Sequence, residues 1–160
     1  MAQSRTLTLA DPAATDRLGH AVAQALVALQ PVTFSLYLEG ELGAGKTAFA
    51  RALLAGLGYE GRVPSPTYTL VEPYSAAGFQ LLHADLYRLE DPAELEALGI
   101  ADQFGPGCLL LVEWPARGQG RLPPADIRLC LSVAGQGRQA ALEARSAAGE
   151  RLLELLGPGS

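Results

Sequence analysis

Gly40-Glu41-Leu42-Gly43-Ala44-Gly45-Lys46-Thr47 is the stretch on which the fold is decided. It fits G-x-x-x-x-G-K-[ST] in full, and the pattern requires a strand before it and a helix after it. Val32-Thr33-Phe34-Ser35-Leu36-Tyr37-Leu38 reads as that strand. Ala48, Ala50, Ala52, Leu53 and Leu54 read as that helix, ending near Gly56-Leu57-Gly58. Glycines let the backbone close around an anion and turn several N–H groups inward. The helix adds its positive N-terminal end. Lys46 offers a compact charge for β- and γ-phosphates, and Thr47 a hydroxyl for Mg²⁺. A Gly-rich turn matches this pattern by chance in roughly one such chain in several hundred.

Outward from the loop, Thr6-Leu7-Thr8-Leu9 alternates like a short strand. Asp11-Pro12 starts a helix, which carries Ala14, Leu18, Ala21, Val22, Ala25 and Leu29 and stops at Pro31. Residues 68–74 and 79–85 read as a hairpin about Ser75-Ala76-Ala77-Gly78. Asp91-Pro92-Ala93-Glu94 is a capping box with Pro at the first helical position. Cys108 to Glu113 is an apolar run closed by an acid, a strand buried on both faces. Ile127 to Ala134 and Gln139 to Arg145 form a second hairpin about Gly135-Gln136-Gly137. Ser146 to Leu156 reads as a last helix. One strand–loop–helix unit combined with hairpins predicts an α/β protein. The expected fold is a P-loop NTPase-like three-layer one, with a mixed parallel and antiparallel central sheet. Residues 1–157 are expected to form one domain, and residues 158–160 a disordered tail.

The 160 residues carry a net charge of -5, which argues against coating nucleic acid by bulk electrostatics. Apolar residues make up 49%, yet no run approaches a membrane span, and Met1 to Leu9 lacks a signal pattern. Cys108 and Cys130 sit among apolar residues with no metal-ligand spacing. A cytoplasmic protein without membrane attachment is expected. Lys46 is the single Lys beside 11 Arg, and there is no Asn. A guanine-reading N-K-x-D loop therefore has no material, and adenine is the expected base. Asp102-Gln103-Phe104-Gly105 matches D-x-x-G but lacks a strand before it and reads as a loop.

A phosphate loop needs a second carboxylate at a neighbouring strand end. Glu113 and Asp85 both close apolar runs, where a carboxylate is costly to bury unpaired. Glu113 is assigned to Mg²⁺, and Asp85 to the attacking or metal-bound water; spacing alone allows the exchange of roles. Lys46 and Asp85 are the catalytic candidates. Ser65, Thr67 and Thr69 lie where a switch segment sensing the γ-phosphate would sit, or form a Pro-rich strand entry. His83 and His20 read as packing or surface residues. Trp114 reads as half-buried packing and a contact or reporter at the site. Arg88 and Arg138 can neutralise phosphate charge.

Four segments together resemble the TsaE family. They are Gly43-Ala44-Gly45-Lys46-Thr47, Ser65-Pro66-Thr67-Tyr68-Thr69-Leu70-Val71, His83-Ala84-Asp85-Leu86-Tyr87-Arg88 and Val112-Glu113-Trp114-Pro115. The resemblance implies a small cytoplasmic ATPase of the tRNA threonylcarbamoyladenosine pathway. It implies ATP and Mg²⁺ as ligands and the TsaB–TsaD pair as partners, with tRNA met only through that complex. Leu42, Gly43, Ala44, Gly45, Lys46 and Thr47 would bind phosphates, Thr47 and Glu113 the metal, and Asp85 would serve hydrolysis. Pro12 and Gly137 match family positions that line the nucleotide. Ala48 departs from the second hydroxyl that many members carry after Thr47. Two competing functions are a small-molecule kinase of the shikimate-kinase type and a nucleotide-sensing module. The kinase needs a lid, for which only the short Arg117 to Arg121 is available.

Overall fold

The computed structural model describes residues 3–41, 43–64, 66, 70–118 and 120–157. Among them, seven strands form one sheet: β1 (Ser4–Leu9), β2 (Thr33–Glu39), β3 (Val71–Ala76), β4 (Phe79–Asp85), β5 (Cys108–Glu113), β6 (Ile127–Ala134) and β7 (Gly137–Ala144). Their order across the sheet is β1-β7-β6-β2-β5-β4-β3. β6, β2, β5 and β4 run parallel, whereas β3 on one side and β7 and β1 on the other pair antiparallel. This is the expected α/β fold with a mixed sheet.

The helices are α1 (Pro12–Leu29), α2 (Lys46–Gly56), α3 (Glu94–Leu98), α4 (Ile100–Gln103) and α5 (Ala147–Leu156). Period-2 alternation divides the apolar residues of β4 and β5 between two cores. Phe79, Leu81, Leu109 and Leu111 join the core under α1, α2 and α5. Leu82, Ala84, Cys108, Leu110 and Val112 join the opposite core, with Leu95 of α3 and Ile100 of α4. Three layers result.

Local signals explain the starts of α1 and α5. Asp11 Oδ1 accepts the Ala14 N–H at 2.9 Å, and Pro12 begins α1. Ser146 caps α5 in the same way through the Gly149 N–H. Small residues set how close α2 lies to α1: a Cβ on Gly56 would stand 2.7 Å from the Ala23 methyl, and one on Gly19 would collide with Ala52. The phosphate loop is thereby anchored through its helix to α1.

Several expectations shift. Ser75 and Ala76, expected in the first hairpin's turn, complete β3, and Gly137, expected in the second turn, opens β7. β1 begins at Ser4 because its pairing with β7 runs out to Ser4 opposite Glu143. At Asp91 the reciprocal bonds form, Ala93 N–H to Oδ1 and Asp91 N–H to Glu94 Oε1, but Pro92 and Ala93 make a turn and α3 starts at Glu94. Asp102 and Gln103 are not loop. Gly99, at φ 71°, carries the chain directly from α3 into α4, and the Gln103 N–H closes on the Gly99 carbonyl. Residues 68 and 69 of the expected first hairpin strand, and the expected tail 158–160, lie outside the described residues. Among the described residues no helix is long and apolar enough to cross a membrane.

Candidate functional site

The site lies at the carboxyl ends of β2, β4 and β5, where open parallel sheets collect ligands. The chain leaves β2 at Glu39 and re-enters a helix at Lys46. Gly45 makes that entry at φ 106°, a conformation closed to most side chains. Lys46 is 5% exposed. Its ammonium donates to the Gly40 carbonyl and, at 3.0 Å, to the Glu41 carbonyl. It also stands 4.1 Å from the centre of the Trp114 ring, a cation–π contact. Burial pushes its pKa down, opposed by the charges of Glu113 and Asp85.

Glu113 and Asp85 are register partners across β5 and β4. Odd-numbered residues of both strands face α2, so both carboxylates look toward the phosphate loop. Glu113 is 2% and Asp85 8% exposed. Thr47 Oγ1 lies 3.3 and 3.4 Å from the two Glu113 oxygens. Asp85 Oδ1 accepts the Tyr87 N–H at 3.0 Å. Burial raises the Asp85 pKa; the Tyr87 bond lowers it, Glu113 raises it, and His83 and Lys46 lower it.

Two cavities meet at the start of α2. One, of about 480 Å³, is the more polar of the two and includes Lys46, Thr47, Asp85, Arg88, Glu113 and Trp114 in its wall. The other, of about 210 Å³, is lined by Pro12, Thr15, Ala48, Gly137 and Arg138 among others. Gly45 belongs to both. Arg138 Nη2 donates to the Gly43 carbonyl at 3.0 Å, joining the second hairpin to the phosphate loop. Ala44, within that loop, is buried. An anion thus finds Lys46, Arg88 and a helix start on one side, and a less polar cavity with Arg138 in its wall, suited to a base, on the other.

The hard oxygens of Thr47 and Glu113 suit Mg²⁺, and their 3.3 Å separation is near the roughly 3 Å between neighbouring oxygens in an octahedral shell. Among the described residues no group of three or more His, Cys, Asp or Glu is arranged to hold a metal. A Mg²⁺ ion shared with phosphates needs only one or two protein ligands.

The expected site residues Pro12, Gly43, Ala44, Gly45, Lys46, Thr47, Asp85, Glu113, Trp114, Gly137 and Arg138 line or adjoin these two cavities. Leu42, Ser65, Thr67 and Thr69 lie outside the described residues. Two features go beyond the sequence reading. Trp114 takes φ 58°, strained for a bulky side chain, and packs at 5.0 Å against Tyr87. His83, expected to be a packing or surface residue, is fully buried and bonds Glu113 at 2.7 Å. The sequence carries a signal for it: His83 and Asp85 stand two apart on a largely apolar strand, hence on one face.

Known proteins share this architecture. A sequence model of the family described as "Threonylcarbamoyl adenosine biosynthesis protein TsaE" matches residues 9–141. The tRNA threonylcarbamoyladenosine biosynthesis protein TsaE of Haemophilus influenzae is 42% identical over 152 residues, covering 94% of this chain and 96% of that protein. The Synechocystis protein of the same name is 40% identical over 114 residues, 68% of this chain and 69% of its own. The crystal structure of Bacillus subtilis YdiB superposes with a TM-score of 0.77 at 28% identity, covering 98% of this chain and 95% of that one.

Proposed function

Because the chain belongs to the TsaE family, we propose that it is a Mg²⁺-dependent ATPase supporting tRNA threonylcarbamoylation at adenosine 37 through the TsaB–TsaD pair. The observation that carries this reading is the Thr47 hydroxyl held against the buried Glu113 carboxylate at the start of the phosphate-loop helix. Thr47 and Glu113 would hold Mg²⁺, which would supply positive charge to offset that of the phosphates. Lys46 exchanges the Gly40 and Glu41 carbonyls for phosphate oxygens, keeping its charge near Trp114. Arg138 sits beside Gly43 and adds positive charge at the loop. Asp85, anchored by the Tyr87 N–H, orients water for attack. Pro12 and Gly137 line the cavity that takes the base. The negative overall charge fits a protein that meets tRNA through its partners and not alone.

The test is phosphate release from Mg-ATP by the wild type and a Lys46→Ala variant, each with and without purified TsaB–TsaD. Slow release that rises with the partners and is lost in the variant is the expected result. Release indifferent to the partners overturns the coupled reading. Phosphate transferred to an acceptor faster than to water establishes a kinase instead.

A further inference from the structure

We propose that His83 is a positioning residue for Glu113: donating from Nε2, it pins the carboxylate in the orientation that serves the metal. This rests on Glu113 being a Mg²⁺ ligand, as read above.

His83 lies within β4, in register with Leu111 of β5, and the Asp85–Glu113 pair follows two residues further along both strands. Leu81, Leu109 and Leu111 around this face are core residues. An apolar side chain would serve packing there, and a fully buried imidazole is costly unless it is bonded. Its Nε2 stands 2.7 Å from Glu113 Oε2. Thr47 Oγ1 is 3.3 and 3.4 Å from the carboxylate oxygens, beyond the usual 2.7–2.8 Å mode of an O–H···O bond. The terminal torsion of a Glu is soft. Of the two contacts, only the short one from His83 is tight enough to hold that torsion.

The location of the proton follows from hydrogen-bond accounting. Nδ1 is buried and has no partner among the described residues. A proton on Nδ1 would be an orphaned donor, and would leave the bare Nε2 lone pair facing a carboxylate oxygen. With the proton on Nε2, the ring donates to Oε2, and the unpaired atom is an acceptor. Partners that orient a ligating group this way typically govern 10–100-fold in metal affinity.

Two measurements test the proposal on the full chain. In a long-range ¹H–¹⁵N spectrum of the metal-free protein, the His83 signals, assigned by their loss in His83→Gln, are expected to show the Nε2–H tautomer. An Nε2 without a proton overturns the proposal. Mn²⁺ affinity in the ADP complex, followed by electron paramagnetic resonance, is expected to fall about 10–100-fold in His83→Leu. ADP affinity without metal should stay unchanged. His83→Gln, whose amide can donate from about the Nε2 position, should recover most of the loss. Undiminished Mn²⁺ affinity in a folded His83→Leu overturns the role of His83 alone. Failure of wild-type protein to bind Mn²⁺ with ADP overturns the metal reading itself. If His83→Leu does not fold, the tautomer and the Gln variant decide.

Discussion

The carboxyl end of the central strands and the β6–β7–β1 flank belong to one sheet but follow opposite rules. In the flank, Ile127, Leu129, Leu131, Ala140 and Leu142 are buried beside Leu152 and Leu153 of α5. At the site, four of the six buried polar residues among those described gather: Lys46, His83, Asp85 and Glu113. The flank lowers the free energy of the fold by removing apolar surface from water. The site raises it, because charges are held away from water before any ligand compensates them. Stability made in one region is what allows a strained, charged arrangement in the other. Trp114, left-handed at φ 58° directly after Glu113, belongs to the same pattern.

If this division holds, substitutions in the two regions separate stability from activity. Leu142→Ala leaves a cavity in the flank and should cost about 2–5 kcal/mol. Calorimetry should record a fall in Tm of about 2–4 °C for each kcal/mol. Phosphate release per folded molecule, measured well below Tm, should be unchanged, and a parallel loss of activity would break the comparison. Glu113→Gln keeps the volume and the acceptor for His83 but removes the charge offered to Mg²⁺. Hydrolysis should fall by about a hundredfold or more with Tm nearly unchanged. Retention of full Mg-ATP turnover would remove Glu113 from the metal site.

The smallest effect has the opposite sign. Burial raises the Asp85 pKa above its ordinary value of 3.8. The folded state then binds this proton more readily than the unfolded one, so the stability cost is fully present above the folded pKa and fades as pH drops through it. Asp85→Asn should raise the metal-free Tm at neutral pH by roughly 1–3 °C, a fraction of a kcal/mol to about 1. The gain should vanish in acid, where the wild-type carboxyl is neutral too. A destabilised Asp85→Asn at neutral pH would show that attraction to Lys46 outweighs desolvation.

Much of the fold is legible in the chain itself, wherever the physics is local. The phosphate loop declares itself through glycines with special backbone demands and a lysine at a fixed step. Asp11 and Ser146 announce helix starts because a cap bonds within three residues. The run from Cys108 to Glu113 announces a strand buried on both faces, ending in a carboxylate. Asp102 reads as loop yet is helical, because Gly99 can turn one helix into another and no periodic signal accompanies four residues.

The rest depends on distance along the chain. His83 and Glu113 are 30 residues apart, and Arg138 and Gly43 are 95 apart. Lys46 meets Trp114 only because β2 and β5 run side by side. The sequence by itself determined most of the elements that form and that a glycine-rich loop ending in Lys46 and Thr47 joins two of them, since propensity, capping and alternation act over a few residues. The tertiary structure alone decided which buried histidine meets which carboxylate. That pairing follows from sheet order and register, and these are settled by how the whole apolar surface is buried at once.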